Sequence, residues 1–138
     1  MMIRNVTLYR PTGANELALI IDSGMKRFPP RFFWQPIFYP VLNLHYAAEI
    51  AERWNMGDPE SDGVGFVTEF EIPEDYFRKF PIQTVGLDHH QELWVPAEDL
   101  EAFNDKIVNG IRVFKSFIGS KFTMPDKIKS VLNRNYPD

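Results

Sequence analysis

The stretch His89-His90-Gln91-Glu92-Leu93-Trp94-Val95-Pro96 runs straight into Ala97-Glu98-Asp99-Leu100-Glu101-Ala102-Phe103. It reads as a short strand that stops at a proline, then a helix with acids in its first turn. Successive strand side chains point to opposite faces. His90, Glu92 and Trp94 therefore share one face, and Gln91, Leu93 and Val95 the other. Leu93 and Val95 are core residues by type. A face carrying an imidazole, a carboxylate and an indole is the first candidate for a site. In the helix, expected from Pro96 to about Ile107, Leu100, Phe103 and Ile107 turn inward.

Upstream, Val64 to Ile72 is the strongest strand. Val64, Phe66, Thr68, Phe70 and Ile72 fall on one face, and Gly65, Val67, Glu69 and Glu71 on the other. Pro73-Glu74-Asp75 opens a single helical turn, and Ile82 to Val85 is a short strand. Asn43 is a good N-cap for the clearest helix, in which Tyr46, Ala47, Ile50, Ala51 and Trp54 form one apolar stripe with Glu49, Glu52 and Arg53 outside. Asn55 to Gly63 is polar and reads as a surface loop. Ile3 to Tyr9 reads as a first strand ended by Arg10-Pro11-Thr12-Gly13, after which Thr12 can cap a helix with Leu17, Ile20 and Ile21 inward and Gly24 at its C-terminus. Between them, Phe28-Pro29-Pro30-Arg31-Phe32-Phe33-Trp34-Gln35-Pro36 makes neither a long helix nor a central strand. It reads as an aromatic loop, pinned to the core or part of a binding rim, leading into an extended piece, Ile37-Phe38-Tyr39.

Downstream, Asn109-Gly110 turns the chain into a strand, Ile111 to Phe114. Residues 115–138 form a basic C-terminal extension with a short helix, in which Thr123-x-x-Asp126 resembles a cap and Ile128, Val131 and Leu132 an apolar stripe. Strands and helices without strict βαβ alternation predict an α+β fold with a mainly antiparallel sheet and three to four helices. The 138 residues fit a single domain, with 44% hydrophobic and 14% aromatic content to fill a core. A formal charge of −4 argues against a nucleic-acid partner, and no apolar run reaches the roughly 18 residues of a membrane span. The N-terminus lacks an apolar signal core and reads as the start of the mature chain. With no cysteine, thiolate chemistry and disulfides are excluded, and a cytoplasmic location fits best.

The motifs narrow the chemistry. His45, His89 and His90 are the three histidines; no His-x-x-x-His pair exists, and His89 and His90 are expected on opposite strand faces, so no metal site is expected. The serines lack a nucleophile elbow, and there is no GxGxxG or phosphate loop. What remains is Arg10 at the end of the first strand, Tyr39 before the Asn43 helix, and Glu92 on a late strand. A guanidinium recognises a phosphate or ribose by forked hydrogen bonds. An aromatic ring holds a planar ligand, and a carboxylate steadies positive charge developing at an anomeric carbon.

In that order, Leu8-Tyr9-Arg10, Phe38-Tyr39 with the Tyr46-Ala47-Ala48 helix, and His90-Gln91-Glu92-Leu93-Trp94-Val95-Pro96 resemble the ADP-ribosyltransferase-like fold over roughly Thr7 to Phe114. The resemblance implies a split sheet whose cleft grips NAD. Arg10 would contact the NAD phosphate or ribose, Tyr39 and Trp94 would border the cofactor, and Glu92, with His90 beside it, would be the catalytic acidic residue. The chain departs from the family in lacking a Ser-Thr-Ser run and in carrying His90 where an acid or Gln is usual. The sequence is also similar to a group of small bacterial proteins with LYRP, QPIFYPVLN and ELWVPAEDLEAFN, which sometimes carry the label ADP-ribosylation/crystallin. That label implies the all-helical ADP-ribosyl hydrolases, whose aspartate clusters bind magnesium. The strong strands and the lack of an Asp-Asp pair argue against that fold.

Each candidate has a plainer reading: Arg10 paired with an acid such as Glu16 or Glu71, Glu92 a solvated carboxylate, and Tyr39 and Trp94 core residues. Arg27 and Arg31, flanking Pro29-Pro30, read as surface residues or as contacts for an anionic ligand. The functional expectation is a nucleotide-binding protein that transfers ADP-ribose from NAD. The alternative is a non-catalytic module that binds a protein partner or its own copy.

Overall fold

Strand β3 (Val64–Pro73) is the strand on which the sheet is built. β1 (Asn5–Thr12) pairs antiparallel along its whole length, from Asn5 opposite Pro73 to Thr12 opposite Phe66. β7 (Val108–Ile118) pairs antiparallel on the other side. The computed structural model describes residues 4–55, 63–120 and 122–135. Beyond β1 the sheet continues through one residue. Val41 exchanges both backbone hydrogen bonds with Tyr9, at 2.9 and 2.7 Å, and bridges Glu92 of β5 (Gln91–Leu93). β5 in turn pairs with β4 (Ile82–Thr84), and β2 (Ile37–Phe38) pairs with β6 (Val95–Pro96). All pairings among the described residues are antiparallel, and the fold is α+β as the sequence predicts.

The two faces of β3 carry different cores. Phe66, Phe70 and Ile72 bury one face. There, α1 (Ala14–Asp22) and α5 (Asp126–Asn135) bring Leu17, Ile128 and Val131 against Val64, Phe66 and Val113. Phe103 of α4 (Leu100–Asp105) sits among Phe38, Phe70, Tyr76 and Phe80, with ring centroids 5.6–6.1 Å away. Fully burying a ring such as Phe38, Phe70 or Phe103 stabilises by about 1.5–3 kcal/mol, while Tyr76 and Phe80 are partly buried at the edge of the cluster. On the opposite face, α2 (Leu44–Asn55) packs Tyr46, Ala47 and Ala51 on Val41 and Val67. Gly65 lies where α2 crosses, and a Cβ there would overlap the Ala51 carbonyl. The alternation read from Val64 to Ile72 is therefore the division between the two layers.

Local signals place the helix ends. Asn43 Oδ1 accepts the Tyr46 amide at 2.8 Å, the expected N-cap of α2. Gly24, at φ +78°, closes α1: the Gly24 amide donates to Ile21 and the Met25 amide to Ile20, satisfying two end carbonyls. The helical turn after Pro73 is α3 (Glu74–Phe77).

Several boundaries differ from the sequence reading. β1 runs on through Arg10, Pro11 and Thr12. Tyr9 turns its amide toward Val41, so Pro11, two residues on, lacks its N–H on that side and not toward β3. Gly13, not Thr12, is the N-cap of α1, without a side-chain hydrogen bond. The single strand expected from His89 to Pro96 is two pieces that separate at Trp94 and take different partners. The helix after it begins as a 3₁₀ turn over Ala97–Asp99. Lys115 to Ile118 belong to β7, opposite Val67 to Val64, so the C-terminal extension starts later than residue 115. Asn109 and Gly110, both at positive φ, lie within β7 near a register shift rather than in a turn before it. α5 begins at Asp126 and docks on α1, with Lys127 Nζ 2.6 Å from Asp22. Most of the expected surface loop, residues 56–62, and the side chain of Trp54 lie outside the described residues. Among the described residues no helix is long and apolar enough to cross a membrane.

Candidate functional site

Asn43 builds the site while capping α2. Its Nδ2 donates to the His89 carbonyl at 2.6 Å, tying the turn before β5 to the start of the helix. Side chains of the first two turns of α2 thereby meet those of residues 89–94.

Glu92 is at the centre of one half. The Tyr46 hydroxyl donates to Oε2 at 2.6 Å and the Trp94 indole N–H to Oε1 at 2.9 Å. Both donors are neutral, and among the described residues no Lys, Arg or His forms an ion pair with Glu92. Burial, and then the bond to Glu92, push the Tyr46 phenol well above its ordinary ionisation range. The His90 ring stacks on Tyr46 with centroids 4.5 Å apart. His90, Glu92 and Trp94 thus meet around Tyr46. Tyr39 joins them through register: Ile37 opposite Pro96, Phe38 opposite Val95 and Val41 opposite Glu92 set Tyr39 across from Trp94. Tyr39 and Trp94 are both exposed, which their reading as core residues does not fit.

Glu49, one turn after His45 on α2, is at the centre of the other half. His89 Nε2 and His45 Nε2 lie 2.6 and 3.0 Å from Oε1, and His90 Nε2 lies 2.9 Å from Oε2. The hydrogen bonds from His89 and then His90 hold the Glu49 carboxyl below the usual carboxylate range. His90 Nδ1 accepts the Leu87 amide at 3.1 Å, which assigns its ring proton to Nε2 and makes it the donor to Glu49. His45 and His89 stack with centroids 4.3 Å apart and planes 6° from parallel. His45, Glu49 and His89 offer ligand atoms that all lie within 4.8 Å of one another.

This corrects two expectations. His89 and His90 do not diverge to opposite faces. They precede β5, in the turn from Leu87 to His90, where the two-residue strand period does not apply. Glu49 is not a solvated outer residue of α2 but the common partner of all three histidines. The overlooked signal is His45-x-x-x-Glu49, a pair of ligand types on one helix face.

Arg10 is not part of this cluster. Tyr9, Val41 and Glu92 are cross-strand partners and share a face, so the next residue, Arg10, turns to the other. Its Nε and Nη2 grip Glu16 at 2.6 and 2.9 Å, and its guanidinium lies 4.7 Å from the Phe38 ring centroid. The plainer reading, a pair with Glu16, describes it. The cation beside Tyr39 is Arg31, whose Cζ is 5.9 Å from that ring centroid and whose Nε donates to the Ile37 carbonyl at 3.1 Å. Arg31 is half-buried and forms no ion pair with an acid among the described residues. Burial and the neighbouring Arg10 charge lower its pKa. Arg31 also borders an open cleft of about 430 Å³ that Arg27, Glu98 and Glu101 line. The aromatic loop divides: Phe28 is buried, while Phe32, Phe33 and Trp34 are exposed and pack on one another.

No protein-family model, curated protein or solved structure matches this chain, so its functional reading rests on the geometry above.

Proposed function

We propose that the protein binds a nucleotide of the NAD type and acts at its ribose, with Glu92 as the acidic residue. The observation that carries this reading is the state of Glu92: a carboxylate held by two neutral donors, beside two exposed aromatic rings. A carboxylate neutralised by a cation has little charge to offer. One oriented by a phenol and an indole keeps its charge to stabilise an oxocarbenium-like ribose as the base departs. Tyr39 and Trp94 supply surfaces for a planar base, and His90, stacked on Tyr46, braces the phenol that orients Glu92. The phosphate contact assigned by resemblance to Arg10 passes to Arg31, which adjoins Tyr39 and, unlike Arg10, is not held in an ion pair among the described residues. Calorimetric titration with NAD tests the assignment. Arg31→Ala is expected to weaken binding at least tenfold and Arg10→Met to leave it within twofold. Absence of binding at millimolar NAD by the folded protein overturns the reading.

The exposed trio Phe32, Phe33 and Trp34 favours a second reading, a non-catalytic self-association module in which a second copy covers these rings. Sedimentation velocity decides it: a dimer that becomes monomeric in Phe33→Ser/Trp34→Ser supports it, and a monomer at every concentration excludes it.

A further inference from the structure

We propose that His45, Glu49 and His89 bind a divalent transition-metal ion of the zinc, cobalt or nickel class. Two imidazoles and one carboxylate form a donor set that suits these ions and not magnesium or calcium, which prefer oxygen. α2 supplies two of the donors from successive turns, and the Asn43 bond to the His89 carbonyl brings in the third. Both imidazoles present Nε2 to the same carboxylate oxygen, so the three donors already converge on one small volume. A tetrahedral ion with bonds of about 2.0–2.1 Å needs its donors about 3.3 Å apart. Glu49 Oε1 lies 2.6 Å from His89 Nε2 and 3.0 Å from His45 Nε2, and all three donors lie within 4.8 Å. An ion would open the two short contacts, and His45, 71% exposed, has the freedom to adjust.

The surroundings resemble those that orient metal ligands. His90 donates Nε2–H to the second oxygen of Glu49, leaving the first to face the ion, and its own tautomer is fixed by the Leu87 amide. His90 is therefore a positioning residue for this site. Three protein donors leave a further coordination position for water or a substrate oxygen. The inference does not depend on Glu92 acting on a nucleotide.

The test is titration of untagged protein with Zn2+ by calorimetry and with Co2+ by visible absorption. The expected result is one ion per chain, with the absorption of a low-symmetry Co2+ site. Affinity should fall at least tenfold in Glu49→Gln and in His89→Ala, and about 10–100-fold in His90→Phe. His45→Ala removes a donor from an exposed helix position, so a folded variant remains measurable. Its affinity should also fall at least tenfold, with an altered Co2+ spectrum. No saturable binding up to millimolar ion, or equal binding by the native protein and the folded His45→Ala variant, overturns the proposal.

Discussion

Replacing Arg10 with Met separates a structural role from a ligand role. The native guanidinium makes two bonds to Glu16, and the two side chains are 9% and 21% exposed. Removing one partner of a buried pair costs about 3–5 kcal/mol, because it strands the other charge. Glu16 retains one-fifth of its exposure and can relax toward water, which lowers the cost to about 2–3 kcal/mol. The lost contact with Phe38 adds about 1 kcal/mol, while the Met side chain refills the stem volume. The expected total is about 3 kcal/mol. Arg10→Met/Glu16→Leu removes both charges and should recover at least about 2 kcal/mol of that loss, a coupling only a contacting pair shows. Urea unfolding followed by tryptophan fluorescence and circular dichroism measures both, with unchanged m-values as the control. A single-variant loss below about 1 kcal/mol, with additive effects in the pair, would mean that Arg10 and Glu16 are not energetically coupled.

Other outcomes follow from the packing. Gly65→Ala drives a methyl into the Ala51 carbonyl and should lift α2, costing about 2 kcal/mol or more and weakening Zn2+ binding as well, by denaturant unfolding and calorimetry. Phe103→Ala empties the centre of the aromatic cluster and should cost about 3–5 kcal/mol in the same unfolding assay. Tyr9 has its phenol raised above the ordinary value of 10.0 by burial and by Glu69. The stability this gives is complete below the unfolded value and lost as pH rises beyond it. Tyr9→Phe should therefore unfold less steeply with pH above 10.0, read as melting temperature against pH.

Much of the fold was legible because its signals are local. The alternation of Val64 to Ile72 separates the two cores, Asn43 caps α2, and Gly24 takes the left-handed conformation that ends α1. Glu92 and Trp94 were correctly placed together, since an i, i+2 pair on a strand shares a face wherever the strand pairs. What sequence did not reveal depends on partners distant in the chain. Val41, a single residue between β1 and β5, decides that Arg10 and Glu92 turn to opposite faces. The turn from Leu87 to His90 converts adjacent histidines into ligands of one carboxylate 40 residues away. Lys115 to Ile118 pair with Val67 to Val64 beyond a register shift, where a run of mixed polarity gives no strand signal.

The most direct test of the account is nicotinamide release from NAD by the native protein and by Glu92→Gln, with binding checked in parallel. With Glu92 as the acidic residue, the native protein releases nicotinamide, Glu92→Gln does not, and both bind NAD. Release that persists undiminished in Glu92→Gln, or no release and no binding by the folded native protein, would contradict this role.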